Sequence, residues 1–120
     1  MKPGSSMIAL SSSGSTRVVP NYGAIGLSKA TLECLVRYLA VDYIPDGIRV
    51  NTVSGGFIET QSLEAFPQFK EMLDQVVART PAKRLGKAED LSGIVSFLCS
   101  DDARWIIGQT LLADGGLSLV

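Results

Sequence analysis

The chain has 120 residues, a length that suits one modest domain and not two. With 46% hydrophobic and 19% charged residues it reads as globular rather than disordered, and eleven basic side chains against twelve acidic ones leave no footprint for nucleic acid or an anionic membrane. The sequence contains no histidine, which removes the commonest general base, the Ser-His-Asp triads and most transition-metal sites, so no metal is expected.

Proton chemistry then falls to Tyr, Lys, Ser, Asp, Glu or Cys. Cys34 and Cys99 lie far apart without a CxxC partner and read as small core residues of a reduced, cytoplasmic protein. The opening "MKPGSSMIAL" has only four apolar residues in a row, so no signal peptide is expected, and no apolar run elsewhere is long enough to span a bilayer.

The first predicted element is "MIAL" (7–10), a short apolar run bounded by Gly4-Ser5-Ser6 and by "SSSGS", which suits a buried strand. After a loop through Pro20 comes "GAIGLSKATLECLVRYLAVDY", where Ile25, Leu32, Leu35, Val36, Leu39 and Tyr43 recur at spacings of three and four and predict a helix. "PDG" (45–47) stops it. "IRVNTV" (48–53) predicts a second strand, followed by "SGG" (54–56), where the chain must turn or approach something closely. Residues 61–79 read as amphipathic helix interrupted by Pro67, "TPAKRLGK" as a linker loop, and 88–100 as a helix with Glu89 and Asp90 favouring its N-terminal dipole. "QTLLAD" (109–114) predicts a third strand, ended by Gly115-Gly116.

The order β-α-β-α-α-β implies an α/β fold with a parallel sheet and right-handed crossovers. Ligands of such sheets bind outside the carboxyl ends of the strands. Ser11 to Ser13, Ser54 to Thr60 and Asp114 to Gly116 all fall at those ends, and so point to one crevice.

Within that crevice the helix carries the notable pair. Tyr22 and Lys29 are seven positions apart, only about 20° around a helix, so Tyr22, Gly26 and Lys29 share a face, read as polar and opposite the Leu/Val stripe. The glycine leaves room there for something to lie against the backbone. An ammonium near a phenol favours the phenolate, and such a phenol suits an oxygen that gains negative charge. Taken alone, the pair also fits an N-terminal apolar staple and a solvated charge. Ser12 fits either a second hydrogen bond to the same oxygen or simple loop polarity. Arg79, Lys83, Arg84 and Lys87 form a loose basic cluster, read either as a solvated loop or as a docking site for an acidic partner protein, which the resemblance given below would make the acyl carrier protein.

Five segments in order, "IALSSSGS", the Tyr22/Lys29 helix, "IRVNTVSGGFIET", "PAKRLGKAEDLSGIVSFLCSD" and "IIGQTLLADGG", resemble the carboxyl-terminal half of a short-chain dehydrogenase/reductase over nearly the whole chain. Most members place the tyrosine four residues before the lysine. Here position 25 is Ile, and the six-residue gap, with "SGG" in place of Pro-Gly, resembles the NADPH-dependent enoyl-acyl-carrier-protein reductases. The resemblance implies a single partial domain over 1–120, the incomplete carboxyl-terminal half of a Rossmann-type doubly wound parallel sheet, without the glycine-rich cofactor turn. It implies that Tyr22 donates the proton or stabilises an enolate, that Lys29 binds the nicotinamide ribose, and that Ser12 takes the active-site serine position.

By the same resemblance Gly56, Ile58 and Thr60 hold the nicotinamide carboxamide, and Phe57, Leu63, Phe66 and Phe69 line an acyl pocket. The implied cofactor is NADPH, with NADH as the alternative. The implied substrate is an enoyl thioester on acyl carrier protein, and the full-length form is expected to be a dimer or tetramer. The alternatives are a 3-oxoacyl or carbonyl reductase of the same superfamily, and a non-catalytic module that dimerises through the long helix. The isolated chain is expected to have little activity without a partner half.

Overall fold

The computed structural model describes residues 1–60 and 70–120. Leu63, Phe66 and Phe69, expected to line an acyl pocket, and Pro67, expected to break a helix, lie outside the described residues. The elements are β1 (Ser6–Ser12), α1 (Gly23–Tyr43), β2 (Arg49–Gly55), α2 (described over Lys70–Arg79), α3 (Ala88–Cys99) and β3 (Thr110–Ala113). This is the predicted β-α-β-α-α-β order, and the three strands form one parallel sheet in the order β1-β2-β3.

Strand register aligns the sheet at one end. Ser12 pairs with Gly55 and Gly55 with Ala113, so the carboxyl ends of all three strands lie abreast. β2 is the central strand and every one of its residues is buried, as expected where both faces of a parallel sheet are covered. On one face Val36 and Ala40 of α1 pack with Val50, Met7 and Ala9; on the other Leu98 of α3 packs with Val53, Ala103 and Ile8. Helices on both sides make the sheet doubly wound.

α1 is terminated as predicted. Ile44–Asp46 tightens into a 3₁₀ turn containing Pro45, and Gly47 follows at φ 73°, a left-handed conformation that favours glycine. At α3 the Asp90 carboxylate accepts the Lys87 N–H (2.7 Å), which supplies the acidic first turn predicted there.

Two polar residues of β2 hold the sheet to its surroundings. Asn51 donates to the Ile106 carbonyl (2.7 Å) and accepts the Gln109 N–H (2.9 Å), clamping the chain that enters β3. Arg49 is buried and donates to the carbonyls of Leu98 (2.6 Å), Ser100 (3.0 Å) and Ala103 (3.2 Å). It thereby adds a charged donor to carbonyls that end α3 and form the following 3₁₀ turn, each of which also accepts a second bond, from Ser6 Oγ (Leu98), the Ala103 N–H (Ser100) or the Ile106 N–H (Ala103).

Two expectations are corrected. The α1 face through Gly26 is not the outer polar face: Gly26, Glu33, Val36 and Ala40 are its buried residues, while Leu27, Leu35, Tyr38 and Val41 are exposed. Apolar residues occur on more than one side of this helix, so periodicity alone did not choose between them. Cys34 and Cys99 are exposed rather than core. Each directly follows a buried residue, Glu33 and Leu98, and the helical step of about 100° turns the cysteine outward.

Candidate active site

The crevice begins where β1 ends. Ser13–Ser15 forms a 3₁₀ turn, and the chain then runs through Val19 and Pro20 to Asn21, held at φ 60°. Asn tolerates that left-handed conformation better than most residues, and it aims Tyr22 back at the sheet. Tyr22 is the N-cap of α1 rather than an interior residue, and its carbonyl accepts the Gly26 N–H (2.7 Å).

Close packing sets the tyrosine ring. A Cβ on Gly14 would lie 2.6 Å from Tyr22 Cδ1 and 2.7 Å from Cε1, so only glycine lets the ring lie against this turn. A Cβ on Gly26 would lie 2.6 Å from the Gly14 carbonyl oxygen. The room expected at Gly26 therefore exists, but the backbone of the β1–α1 turn fills it. Together the two glycines let the turn pack between the ring and the helix.

From this position the Tyr22 hydroxyl donates to Ser12 Oγ (3.3 Å), and Lys29 Nζ donates to the Leu10 carbonyl (3.0 Å). Leu10 and Ser12 are two steps apart on β1, so the two anchoring points are separated by roughly 6–7 Å. The structure thus brings Ser12, Tyr22 and Lys29 to one strand end, as the sequence predicted. Between them Ser11 donates to the Glu33 carboxylate, a buried acid at 7% exposure that ties β1 to α1 one turn beyond Lys29.

The facing wall is Gly56 to Thr60. Ile58 pairs with Gly86 in an isolated parallel bridge, in which Phe57 O accepts the Gly86 N–H (2.9 Å) and Glu59 N–H donates to Gly86 O (2.8 Å). In parallel pairing this pattern turns Ile58's own N–H and C=O to the opposite side of the segment. A donor and an acceptor side by side are what a carboxamide requires, so this segment fits a nicotinamide amide. Gly55 and Gly56 serve the protein's own packing. A Cβ on Gly55 would meet Ile58 and Leu91 side chains at 3.1 Å, and one on Gly56 would meet Asp114 Cβ at 2.9 Å.

Between the two walls lies a mostly apolar cleft of about 400 Å³, with Ser12, Gly14, Tyr22, Ile25, Phe57 and Ile58 among its lining residues. Gly56 and Thr60 also line it, and so does Met72 of α2. Phe57 is therefore where the sequence placed it. Asp114 and Gly115, expected with Gly116 in the same crevice, instead border the adjoining spaces. Gly115 (φ 65°) and Gly116 (φ 86°) turn the chain against Thr80, Pro81 and Ala82. Burial pushes the Asp114 carboxyl upward, but hydrogen bonds from Ser118 and the Gly116 N–H outweigh it and hold the group below the usual carboxylate range.

The basic cluster does not act as a unit. Arg84 grips Asp90 with two hydrogen bonds (2.6 and 2.8 Å), a pairing that raises the guanidinium and holds the carboxyl well below the usual carboxylate range. Lys83 donates to the Ala78 carbonyl (2.7 Å) at the end of α2. Arg79 instead borders a cleft that Arg17 also lines. Sequence reasoning missed Gly14, Asn21, Glu33, Ile25 and Met72 as parts of the site. Asn21 directly before the tyrosine and Gly14 inside a serine run were legible as turn signals.

Fold and site together define a Rossmann-type α/β segment with a serine, a tyrosine and a lysine gathered at the strand ends. The chain belongs to the enoyl-(acyl carrier protein) reductase family of short-chain dehydrogenases, whose family model matches residues 1–118. It is 45% identical over 122 aligned residues to a 1-cyclohexenylcarbonyl-CoA reductase of Streptomyces collinus, with 100% of this chain and 44% of that protein covered. It is 41% identical to the NADH-dependent enoyl-[acyl-carrier-protein] reductase FabI of Escherichia coli, over 99% of this chain and 45% of that protein. The Bacillus cereus enoyl-acyl carrier protein reductase, solved with NADP+ and indole naphthyridinone, superposes with a TM-score of 0.88 at 36% identity, covering 97% of this chain and 45% of that one. The chain thus spans less than half the length of these relatives.

Proposed function

We propose that this chain is the carboxyl-terminal, catalytic half of an NADPH-linked enoyl thioester reductase of fatty acid synthesis, acting in the cytoplasm on acyl chains carried by acyl carrier protein. The observation that carries the reading is the Tyr22 hydroxyl on Ser12, with Lys29 anchored two residues away on the same strand, beside an apolar cleft. The nicotinamide cofactor, when bound, supplies hydride to the β-carbon of the enoyl group.

The rest falls to this chain's own residues. The single Tyr22 O–H turns to the thioester oxygen as it becomes an enolate, and Ser12 then donates its own O–H to the phenol oxygen and holds the phenol in place. Lys29 supplies positive charge nearby and binds the nicotinamide ribose hydroxyls. Ile58, with Gly56 and Thr60 flanking it, meets the carboxamide. Ile25, Phe57 and Met72 exclude water from the acyl chain. The exposed Leu27, Tyr38 and Val41 of α1, each about seven-tenths exposed, support a homo-oligomer built on this helix in the full-length protein.

A second reading is a 3-oxoacyl or carbonyl reductase, in which Tyr22 protonates an alkoxide directly. The Tyr22–Ser12 pair favours it, since two hydroxyls side by side also suit a carbonyl oxygen. The two readings separate by substrate preference. With the chain joined to a glycine-rich cofactor-binding half, crotonyl thioesters should turn over faster than acetoacetyl thioesters at equal concentration. The reverse order would assign the carbonyl reaction.

A further inference from the structure

We propose that the cleft between Arg17 and Arg79 is a phosphate subsite, taking the phosphate of a phosphopantetheine arm whose acyl end lies beside Tyr22. The proposal rests on the thioester reading above and adds to it where the carrier portion of the substrate is held.

The cleft adjoins the apolar one: Ser13, Val19, Pro20, Phe57 and Met72 line both. Moving along this shared floor away from Tyr22, the lining changes from apolar side chains to Arg17, from the β1–α1 turn, and Arg79, from the last turn of α2. A ligand that fills both spaces therefore has an apolar end and an anionic end.

The arginines suit the anion. Arg17 donates to the carbonyls of Leu117 (3.4 Å) and Ser118, which fixes its position while leaving further N–H donors of the planar fork. Arg79 stands in the last turn of α2 and lines the cleft, whereas Arg84 is paired with Asp90 and Lys83 donates to the Ala78 carbonyl. Among the described residues one carboxylate, Asp114, lines the same cleft, and its oxygens accept the N–H groups of Gly116 (2.9 Å) and Ser118 (2.7 Å). Two guanidiniums against one carboxylate that backbone donors already occupy leave a net positive wall. Such a wall matches a phosphate monoester or diester, the group that coenzyme A and a carrier protein both place at the end of pantetheine.

The test is a calorimetric titration of the chain joined to a glycine-rich cofactor-binding half, with S-crotonyl phosphopantetheine and with S-crotonyl pantetheine, which lacks the phosphate. The phosphorylated compound should bind roughly tenfold more tightly at low salt, with the advantage shrinking as salt rises. Arg79→Ala should bring the ratio near one, and Arg79→Lys should restore part of it; circular dichroism checks that both variants fold. Parallel titrations with crotonyl-coenzyme A and crotonyl-carrier protein distinguish the source of the phosphate: weakening by Arg79→Ala of either one supports the subsite and names its donor. Equal affinities with and without the phosphate, or a ratio untouched by Arg79→Ala, overturn the subsite and leave the reductase reading standing. Binding of neither pantetheine compound overturns both.

Discussion

Tyr22→Phe is expected to lower enoyl thioester turnover by roughly 10²- to 10⁴-fold, the range for removing a positioned proton donor. The assay joins the chain to a glycine-rich cofactor-binding half. The phenylalanine ring keeps the contact with Gly14 that sets the side chain, because that contact is made by Cδ1 and Cε1 and not by the hydroxyl. Only the 3.3 Å bond to Ser12 is lost, and a neutral, partly buried hydrogen bond contributes about 0.5–1.5 kcal/mol to stability. The unfolding midpoint should therefore move little while kcat collapses. Lys29→Ala should lower kcat as well and also raise the KM for cofactor, since its ammonium is assigned two tasks. Steady-state kinetics with thermal melts on the same preparations check both. Undiminished kcat in Tyr22→Phe would remove the tyrosine from the chemistry.

Arg49→Ala is the second large effect, and it falls on the fold. The guanidinium is 7% exposed and donates to three carbonyls at the end of α3 and in the turn after it. Each carbonyl keeps a second donor, Ser6 Oγ on Leu98 (3.2 Å), the Ala103 N–H on Ser100 (3.3 Å) and the Ile106 N–H on Ala103 (2.9 Å), so truncation costs the charge-assisted bonds, about 1.5–3 kcal/mol each where water does not replace them, together with the packing of a buried stem. Water enters part of the space, because Ser100 is only half-buried. The expected loss is about 3–5 kcal/mol, a large part of the 5–15 kcal/mol typical of a whole domain. Arg49→Lys keeps the charge but not the fork, and should fall between the two. Urea unfolding of the three proteins measures this; a midpoint for Arg49→Ala close to that of the parent would mean that the second donors, Ser6 Oγ and the N–H groups of Ala103 and Ile106, suffice without the guanidinium.

Much of the fold was legible because the signals were local. Turn residues bracket each strand, Pro45 and Gly47 end α1 where predicted, and parallel topology brings Ser12, Tyr22 and Gly56 together whatever the details of packing. What could not be read was which side of α1 faces the sheet. Leu27, Leu35 and Tyr38 look like core residues in sequence and are exposed, while Gly26 and Glu33 look like surface residues and are buried. Their burial depends on long-range partners, the Gly14 carbonyl and Ser11, that no helical period encodes. The basic run from Arg79 to Lys87 left two readings open for the same reason. Arg84 finds Asp90 and Lys83 finds a helix end, so proximity in sequence did not make a shared surface.

Following label from NADPH deuterated at the nicotinamide C4 tests the central claim most directly, using the chain joined to a cofactor-binding half and a crotonyl thioester as substrate. The account predicts a butyryl product with one deuterium on the β-carbon and solvent hydrogen on the α-carbon, formed at a rate that depends on Tyr22. Deuterium found instead on the carbinol carbon of a 3-hydroxy product from acetoacetyl thioester, with no butyryl product from the crotonyl substrate, would contradict it.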